Sequence, residues 1–259
     1  MGQLPMFEKY IGIDYSGAGP AVKRNKALQV FMAAEGSKPV KIKTDVGSNW
    51  NWNRKEIAHW CLEQLKNDGP IIIGIDYVFS FPHSYMSRNE ISSWDHFLDD
   101  FYTHWPTDKD NTTVESLRKN NKRAGKLDEF RLTENWTSSA KSVFQFDMTG
   151  QVAKSSHAGI PWLRFLRSQP TLSGKVHFWP FDGFTIPRRS SAIAEVYPSI
   201  FRRRFSKENR SVDEHDAYSI ARWLQEMDSR GVLSQYFNPP ITKDEKDQAK
   251  LEGWILGVY

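Results

Sequence analysis

The chain has 259 residues, of which 39% are hydrophobic and 14% aromatic; this suffices for one large domain or for a core domain with a sizeable insertion. Its formal net charge of +4 permits a polyanionic partner without demanding one, because nucleic-acid binders concentrate basic residues on one face. The single cysteine, Cys61, excludes an intrachain disulfide and disfavours a cysteine-based zinc site. No apolar run has the length of a membrane span, and residues 1–9 lack the layout of a secretory signal. We therefore expect a soluble, cytoplasmic protein.

The first part of the chain predicts three strands, a helix and a fourth strand. Apolar and polar residues alternate in the third strand, and a short turn joins it to the second, which is typical of a meander. Asn53 and Glu56 form the pattern of a capping box, in which side chains satisfy free backbone N–H groups at a helix start. The last segment is almost continuously apolar, as in a strand buried on both faces of a sheet. The predicted segments are residues 10–14, 27–34, 39–44, 53–66 and 70–76.

Residues 83–174 differ in composition from the rest of the chain. They are rich in polar, charged and Trp residues, and their pattern is mostly helical, so we interpret them as a helical insertion or cap. The core then consists of residues 8–82 and 175–259, within one domain that spans the whole chain. This core predicts an α/β fold whose mixed sheet combines a three-stranded antiparallel meander with parallel strands flanked by helices. Its later strands and helices are predicted at residues 175–179, 191–198, 211–228 and 244–256.

Three of the predicted strands end in a carboxylate. Asp14 and Asp76 belong to the same five-residue segment, Ile-Gly-Ile-Asp-Tyr, and Glu195 ends a third apolar run. The carboxyl ends of core strands meet at one edge of an open α/β sheet, so we expect the three side chains to gather there. Neighbouring carboxylates repel each other and persist only with raised pKa values or a bound cation. A set of ligands made of oxygen alone is typical of Mg²⁺ or Mn²⁺.

The helix predicted after Ser211 carries two further acids. At about 100° per residue its apolar residues form one stripe. Asp213 falls near the middle of this stripe and Asp216 at its edge, whereas His215 points to the solvent side. An acid on the core-facing side is costly unless something pairs with it, and a metal shared with the strand-end acids would do so. Two ordinary explanations stay open, because an acid in a first turn also favours the helix dipole and an Asp after a strand also favours a turn.

These motifs resemble the ribonuclease-H-like superfamily and, more narrowly, the family labelled domain-of-unknown-function 429, whose nuclease activity is assigned from its fold and its acids. The likeness covers most of the chain, motif by motif, at residues 11–14, 75–76, 159–163, 179–181, 195–198 and 213–217. The resemblance implies a ribonuclease-H-like fold in which Asp14, Asp76 and Glu195 ligate metal. Asp213, Asp216 or both would complete the site.

A site of this kind would hydrolyse phosphodiester bonds with two ions of Mg²⁺ or Mn²⁺, one activating water and the other stabilising the leaving oxygen. Asp14 would bridge both ions. We expect nucleic acid as the substrate, with Ser16, Lys154, Arg202 and Arg203 as candidate phosphate-binding residues, although basic residues of this kind are also typical of a solvated surface. Most of the Trp residues are expected in the core, and exposed ones could stack on bases.

Two histidines are candidates for proton transfer. These are His83 and His157, and each could equally be an ordinary polar histidine.

Three alternative functions stay open. An actin-like ATPase or a sugar kinase is one alternative, because the turn at residues 14–17 could approach a phosphate as in that superfold. Another phosphate-ester or nucleotide hydrolase is a second, and a non-catalytic nucleic-acid-binding module that keeps the fold is a third.

Overall fold

A six-stranded mixed sheet with helices on both faces forms the centre of the computed structural model, which describes residues 5–34, 36–44, 51–67, 69–137, 140–147 and 152–259. The strands are β1 (Lys9–Asp14), β2 (Gln29–Ala34), β3 (Val40–Ile42), β4 (Ile71–Asp76), β5 (Val176–Trp179) and β6 (Ser191–Glu195). Their order across the sheet is β3-β2-β1-β4-β6-β5. β1, β2 and β3 form an antiparallel meander, and β4, β6 and β5 run parallel to β1. The predicted mixed α/β sheet is therefore confirmed.

The helices begin where the capping patterns predict them. Asn53 and Ser211 each cap a helix through a reciprocal pair of side-chain hydrogen bonds. The last helix ends at Glu252 rather than at residue 256, because Gly253 adopts a left-handed φ of 82°. None of the described helices is long and apolar enough to cross a membrane. The described α-helices are α1 (Arg54–Lys66), α2 (His83–Arg88), α3 (Trp94–His104), α4 (Val114–Arg118), α5 (Leu132–Asn135), α6 (Ala153–Arg167), α7 (Val212–Ser229), α8 (Leu233–Tyr236) and α9 (Lys243–Glu252).

The segment between β4 and β5 packs on the sheet through helices. Its described residues form α2 to α6 with turns between them, and none of them adds a strand. The buried carboxylate of Glu252 accepts hydrogen bonds from the backbone N–H of His83, at 2.7 Å, and from the backbone N–H of Leu132. The end of α9 therefore holds the starts of α2 and α5 against the rest of the molecule.

Different helices cover the two faces of the central strands. Ile11 and Ile13 belong to a core shared with α1 and α6, whereas Tyr10 belongs to a second core shared with α7. The backbone of α7 lies very close to β1, because a Cβ on Gly12 would be 2.2 Å from the carbonyl oxygen of Ala217. A side chain at this position would force the helix away from the sheet. The glycine thus allows the first turn of α7 to lie beside the carboxyl end of β1.

The strand register fixes the face that each strand-end acid occupies. Asp14 and Asp76 are Cα partners on neighbouring parallel strands, so their side chains share the α7 face. Glu195 is the partner of Ile75, one residue earlier than Asp76. Because successive side chains alternate between faces, Glu195 lies on the opposite face, toward the helices between β4 and β5.

Candidate functional site

The carboxyl ends of β1, β4 and β6 open into a pocket of about 550 Å³, called the edge pocket below. All five acids that the sequence singles out line it, namely Asp14, Asp76, Glu195, Asp213 and Asp216. Three of them are strand ends, and the other two lie in the first turns of α7. The structure thus brings together acids that are up to about 200 residues apart in the chain.

Asp14 and Asp76 both line the edge pocket. None of the described residues donates to either carboxylate. Burial raises the pKa of both groups well above the ordinary value, and the neighbouring acids raise the two pKa values further. Arg202 is a nearby positive charge that lowers both pKa values in part. These two side chains are therefore the least compensated negative charges of the pocket.

The two acids of α7 differ in their partners. Asp216 is buried, and both of its carboxylate oxygens accept hydrogen bonds from Nη1 of Arg202, at 3.0 and 2.7 Å. Asp213 is half-buried, and burial followed by the charge of Asp216 raises its pKa. The Arg202 side chain is 37% exposed, so solvent competes with Asp216 for its guanidinium.

The predicted orientation of His215 is wrong. The sequence pattern places it on the solvent side of α7, but only 8% of it is exposed. Its Nε2 lies 3.2 Å from the carbonyl oxygen of Arg202, because a 3-10 helix at Arg202–Arg204 covers that side of α7. The periodicity of apolar residues shows which side of a helix faces the sheet. It does not show whether another segment, here the 3-10 helix, covers the opposite side.

Glu195 forms a buried ion pair with Arg131, which lies in the segment between β4 and β5. Oε1 of Glu195 accepts a hydrogen bond from Nη2 of Arg131 at 2.6 Å, and Oε2 accepts one from Nη1 at 2.8 Å. Oε2 also accepts the backbone N–H of Phe79 at 3.1 Å. Arg131 is fully buried and also contacts Glu134, through Nε at 2.9 Å. Both oxygens of Glu195 therefore already have donors.

Ser16 lines the edge pocket in the turn after β1, and side-chain donors from Asn25 and the buried Arg54 hold this turn in place. Its Oγ accepts a hydrogen bond from Nδ2 of Asn25 at 2.9 Å. The guanidinium of Arg54, which is 1% exposed, donates to the carbonyl oxygens of Ser16, Ala18 and Gly19 at 3.2, 3.2 and 2.6 Å. The turn therefore has a defined shape before any ligand binds.

Two of the predicted phosphate-binding residues do not line the edge pocket. Lys154 lies in the first turn of α6 and pairs with Glu115 at 2.8 Å. Arg203 is exposed on the same 3-10 helix as Arg202 but is not a lining residue. Ser16 and Arg202 do line the pocket.

Neither candidate proton-transfer histidine lines the edge pocket. His83 is exposed at the start of α2. His157 is fully buried among aromatic rings, and its Nδ1 lies 2.8 Å from the carbonyl oxygen of Ala153. Burial lowers the pKa of His157 to about 3, so this ring is a neutral part of the core.

The pocket suits a hard divalent cation in part. Its acids supply oxygen atoms only, which is the chemistry that Mg²⁺ and Mn²⁺ prefer. Within the described parts of the chain, however, no three or more His, Cys, Asp or Glu side chains are grouped so as to hold a metal ion. Two of the acids, Glu195 and Asp216, are engaged by arginines. Asp14 and Asp76 remain available as metal ligands. Two carboxylates are enough for Mg²⁺, which commonly uses one or two and completes its shell with water and phosphate.

No family model, curated protein or solved structure matches the chain. The resemblance to ribonuclease-H-like proteins therefore stays a prediction from motifs. The functional argument depends on the geometry and the charges of the edge pocket.

Among the described lining residues of the edge pocket, three charged ones escape prediction from sequence, namely Arg131, Glu134 and Lys141. Arg131 and Glu134 are three residues apart and form a local ion pair. That spacing is a weak signal, since most charged pairs of this kind lie on solvated surfaces. The contact that matters joins Arg131 to Glu195, and no sequence pattern connects these two positions.

Proposed function

We propose that the protein is a divalent-metal-dependent phosphodiester hydrolase acting on nucleic acid, with the edge pocket as its active site. The observation that supports this most is the pair Asp14 and Asp76, two adjacent strand-end carboxylates that face the pocket without a donor among the described residues. Two such charges repel each other at neutral pH, and a bound cation removes that repulsion.

Asp14 and Asp76 would hold the ion, water and phosphate oxygens would fill most of its shell, and Asp216 would join only after Arg202 released it. A bound divalent ion supplies positive charge that stabilises the phosphoryl oxygens in the transition state and makes water a better nucleophile. The residues of the chain contribute rigidity, because strand ends within a packed sheet hold their carboxylates more precisely in place than loops do.

Arg202 would bind a phosphate group of the substrate. Its guanidinium lines the pocket, is 37% exposed and is paired in this structure with Asp216. A guanidinium presents parallel N–H groups that match the oxygens of a phosphate as well as those of a carboxylate. Binding of substrate would therefore exchange one anionic partner of Arg202 for another.

Asp213 is the residue that we assign to proton transfer. Its carboxylate lines the pocket and is half-buried. Burial and the charge of Asp216 raise its pKa, which moves it toward the neutral range where a general base is most effective. Asp213 would accept the proton of the attacking water at a carboxylate oxygen.

The test is a cleavage assay on the full chain with labelled single-stranded and double-stranded DNA and RNA, in Mn²⁺ or in chelator. We expect Mn²⁺-dependent cleavage that is lost in Asp14→Asn with the fold retained. Asp244→Asn, on an exposed position of α9, is the matched control and should cleave like the wild type. Equal cleavage by Asp14→Asn would contradict the proposal, and hydrolysis of ATP alone would favour the phosphotransferase alternative.

A further inference from the structure

We propose that Arg131 takes the place of a second cation at Glu195, so that the edge pocket binds one divalent ion, at Asp14 and Asp76, rather than two. The inference rests on the proposed function, since it concerns how many ions the same site takes. It follows from the contacts of the Arg131–Glu195 pair and from the register of β4 and β6.

The first step is that three of the four in-plane lone pairs of the Glu195 carboxylate have donors. Two N–H groups of Arg131 and the backbone N–H of Phe79 donate to its two oxygens at 2.6, 2.8 and 3.1 Å. A bidentate arginine contact of this kind satisfies the charge of a carboxylate as well as its geometry. A metal ion at Glu195 would have to use the one remaining lone pair of Oε1, beside the Arg131 guanidinium, or displace these donors.

The second step is that Arg131 cannot leave easily. It is 0% exposed, its Nε donates to Glu134 at 2.9 Å, and Nη1 also donates to the carbonyl oxygen of Glu252 at 3.2 Å. An arginine does not lose its proton in a protein, so a divalent ion beside Glu195 would meet a fixed positive charge. The ion pair therefore excludes a cation by occupancy and by repulsion.

The third step is the contrast with Asp216. Its partner Arg202 is 37% exposed and contacts it through one nitrogen, Nη1. Arg202 can therefore swing into solvent or onto a phosphate and release Asp216, whereas no such route is open to Arg131. Of the three lining acids held by arginines, namely Glu134, Glu195 and Asp216, only Asp216 can join a metal shell.

The fourth step is the strand register. Glu195 pairs with Ile75, so it lies on the opposite face of the sheet from Asp14 and Asp76. A set of acids split between two faces does not converge on one pair of ions unless the strand end is rearranged. Glu195 is therefore a positioning residue that, with Arg131, fixes the wall of the pocket beside Phe79.

The experiment counts Mn²⁺ ions bound to the full chain by electron paramagnetic resonance, and compares the wild type with Arg131→Met. We expect one ion in the wild type and two in Arg131→Met, because removal of the guanidinium leaves Glu195 and Glu134 unpaired on their own face of the sheet, where a second ion can bind apart from Asp14 and Asp76. Mn²⁺ should also raise the melting temperature of this variant more than that of the wild type. The double variant Arg131→Met/Glu195→Gln is the matched control, and it should bind one ion with an affinity within about threefold of the wild type.

Two ions in the wild type would overturn the inference and leave the proposed function intact. One ion in folded Arg131→Met would also overturn it. If Arg131→Met does not fold, the double variant decides, since a loss of Mn²⁺ affinity above tenfold there would make Glu195 a ligand. A wild-type protein that binds no Mn²⁺ would contradict the proposed function together with the inference.

Discussion

Asp14 and Asp76 are register partners, with their Cα atoms paired across β1 and β4, and each is the last residue of its strand. A parallel ladder therefore fixes two carboxylates on one face of one sheet edge. Gly12 and Gly74 are partners two residues earlier, and they allow α7 to add its own acids. Among the residues that the structure describes, six acids, including Glu134, and three basic residues line the edge pocket, so these residues give it an excess of negative charge.

The metal-free protein should be more stable with one fewer charge at this edge. We expect Asp14→Asn to raise the free energy of unfolding by about 1–3 kcal/mol at neutral pH in chelator, because it removes a half-buried carboxylate without a described donor. In saturating Mn²⁺ the wild type should have the higher free energy of unfolding of the two proteins, because the bound ion stabilises its folded state. Urea denaturation with and without Mn²⁺ measures both, and a variant that is less stable than the wild type in chelator would contradict the account.

The same charge predicts a pH dependence of stability. Burial raises the folded-state pKa of Asp14 above the ordinary value of 3.8, so the folded protein holds this proton more tightly than the unfolded chain does. The stability that this group contributes is full below the ordinary value and is lost as the pH rises through the raised pKa. The advantage of Asp14→Asn over the wild type should therefore grow as the pH rises above the ordinary value of 3.8 in chelator, until the raised pKa is passed. A constant difference in the free energy of unfolding over that range would exclude a raised pKa for Asp14.

Arg202 should contribute to substrate binding and not to metal binding. We expect Arg202→Met to weaken nucleic-acid binding by roughly 10-fold to 100-fold, which is the scale of one charge-assisted contact. The slope of the logarithm of the binding constant against the logarithm of the salt concentration should become shallower by about one, because one phosphate contact is lost. Its Mn²⁺ affinity should be unchanged or higher, because a positive charge leaves the pocket. Arg204→Met is the matched control, since Arg204 lies on the same 3-10 helix, pairs with Glu226 and does not line the edge pocket. Binding titrations at several salt concentrations measure the difference, and equal losses in both variants would remove Arg202 from the site.

The close approach of α7 to the sheet predicts different costs at two neighbouring glycines. A Cβ at position 12 would lie 2.2 Å from the backbone oxygen of Ala217, which cannot move without the helix. A Cβ at position 74 would meet side-chain atoms, the nearest at 2.7 Å on Ile220, and these can adjust. We expect Gly12→Ala to lower the free energy of unfolding by about 3 kcal/mol or more, and Gly74→Ala by about 1 kcal/mol. Chemical denaturation checks this order, and equal costs would mean that the helix does not rest on the backbone of β1.

Much of the fold could be predicted because its signals are local. The strand pattern, the capping boxes at Asn53 and Ser211 and the antiparallel meander all depend on residues close together in the chain. The gathering of Asp14 and Asp76 at one edge also follows from a general rule about strand ends. These predictions needed no knowledge of how distant segments pack.

The rest of the site depends on contacts that the sequence does not encode locally. The register of β6 shifts Glu195 by one residue relative to Asp76, and a shift of one residue exchanges the faces of a sheet. The pairing of Glu195 with Arg131 joins residues 64 positions apart. The burial of His215 likewise depends on a 3-10 helix that precedes α7 and folds back over it.

Anomalous scattering from a crystal of the full chain soaked in Mn²⁺ tests the central claim most directly. The account predicts a manganese peak in contact with the carboxylates of Asp14 and Asp76, and the loss of that peak in Asp76→Asn. A crystal that diffracts well but shows no manganese at these two residues, or shows it bound elsewhere in the molecule, would contradict the assignment of the edge pocket as a metal-dependent hydrolase site.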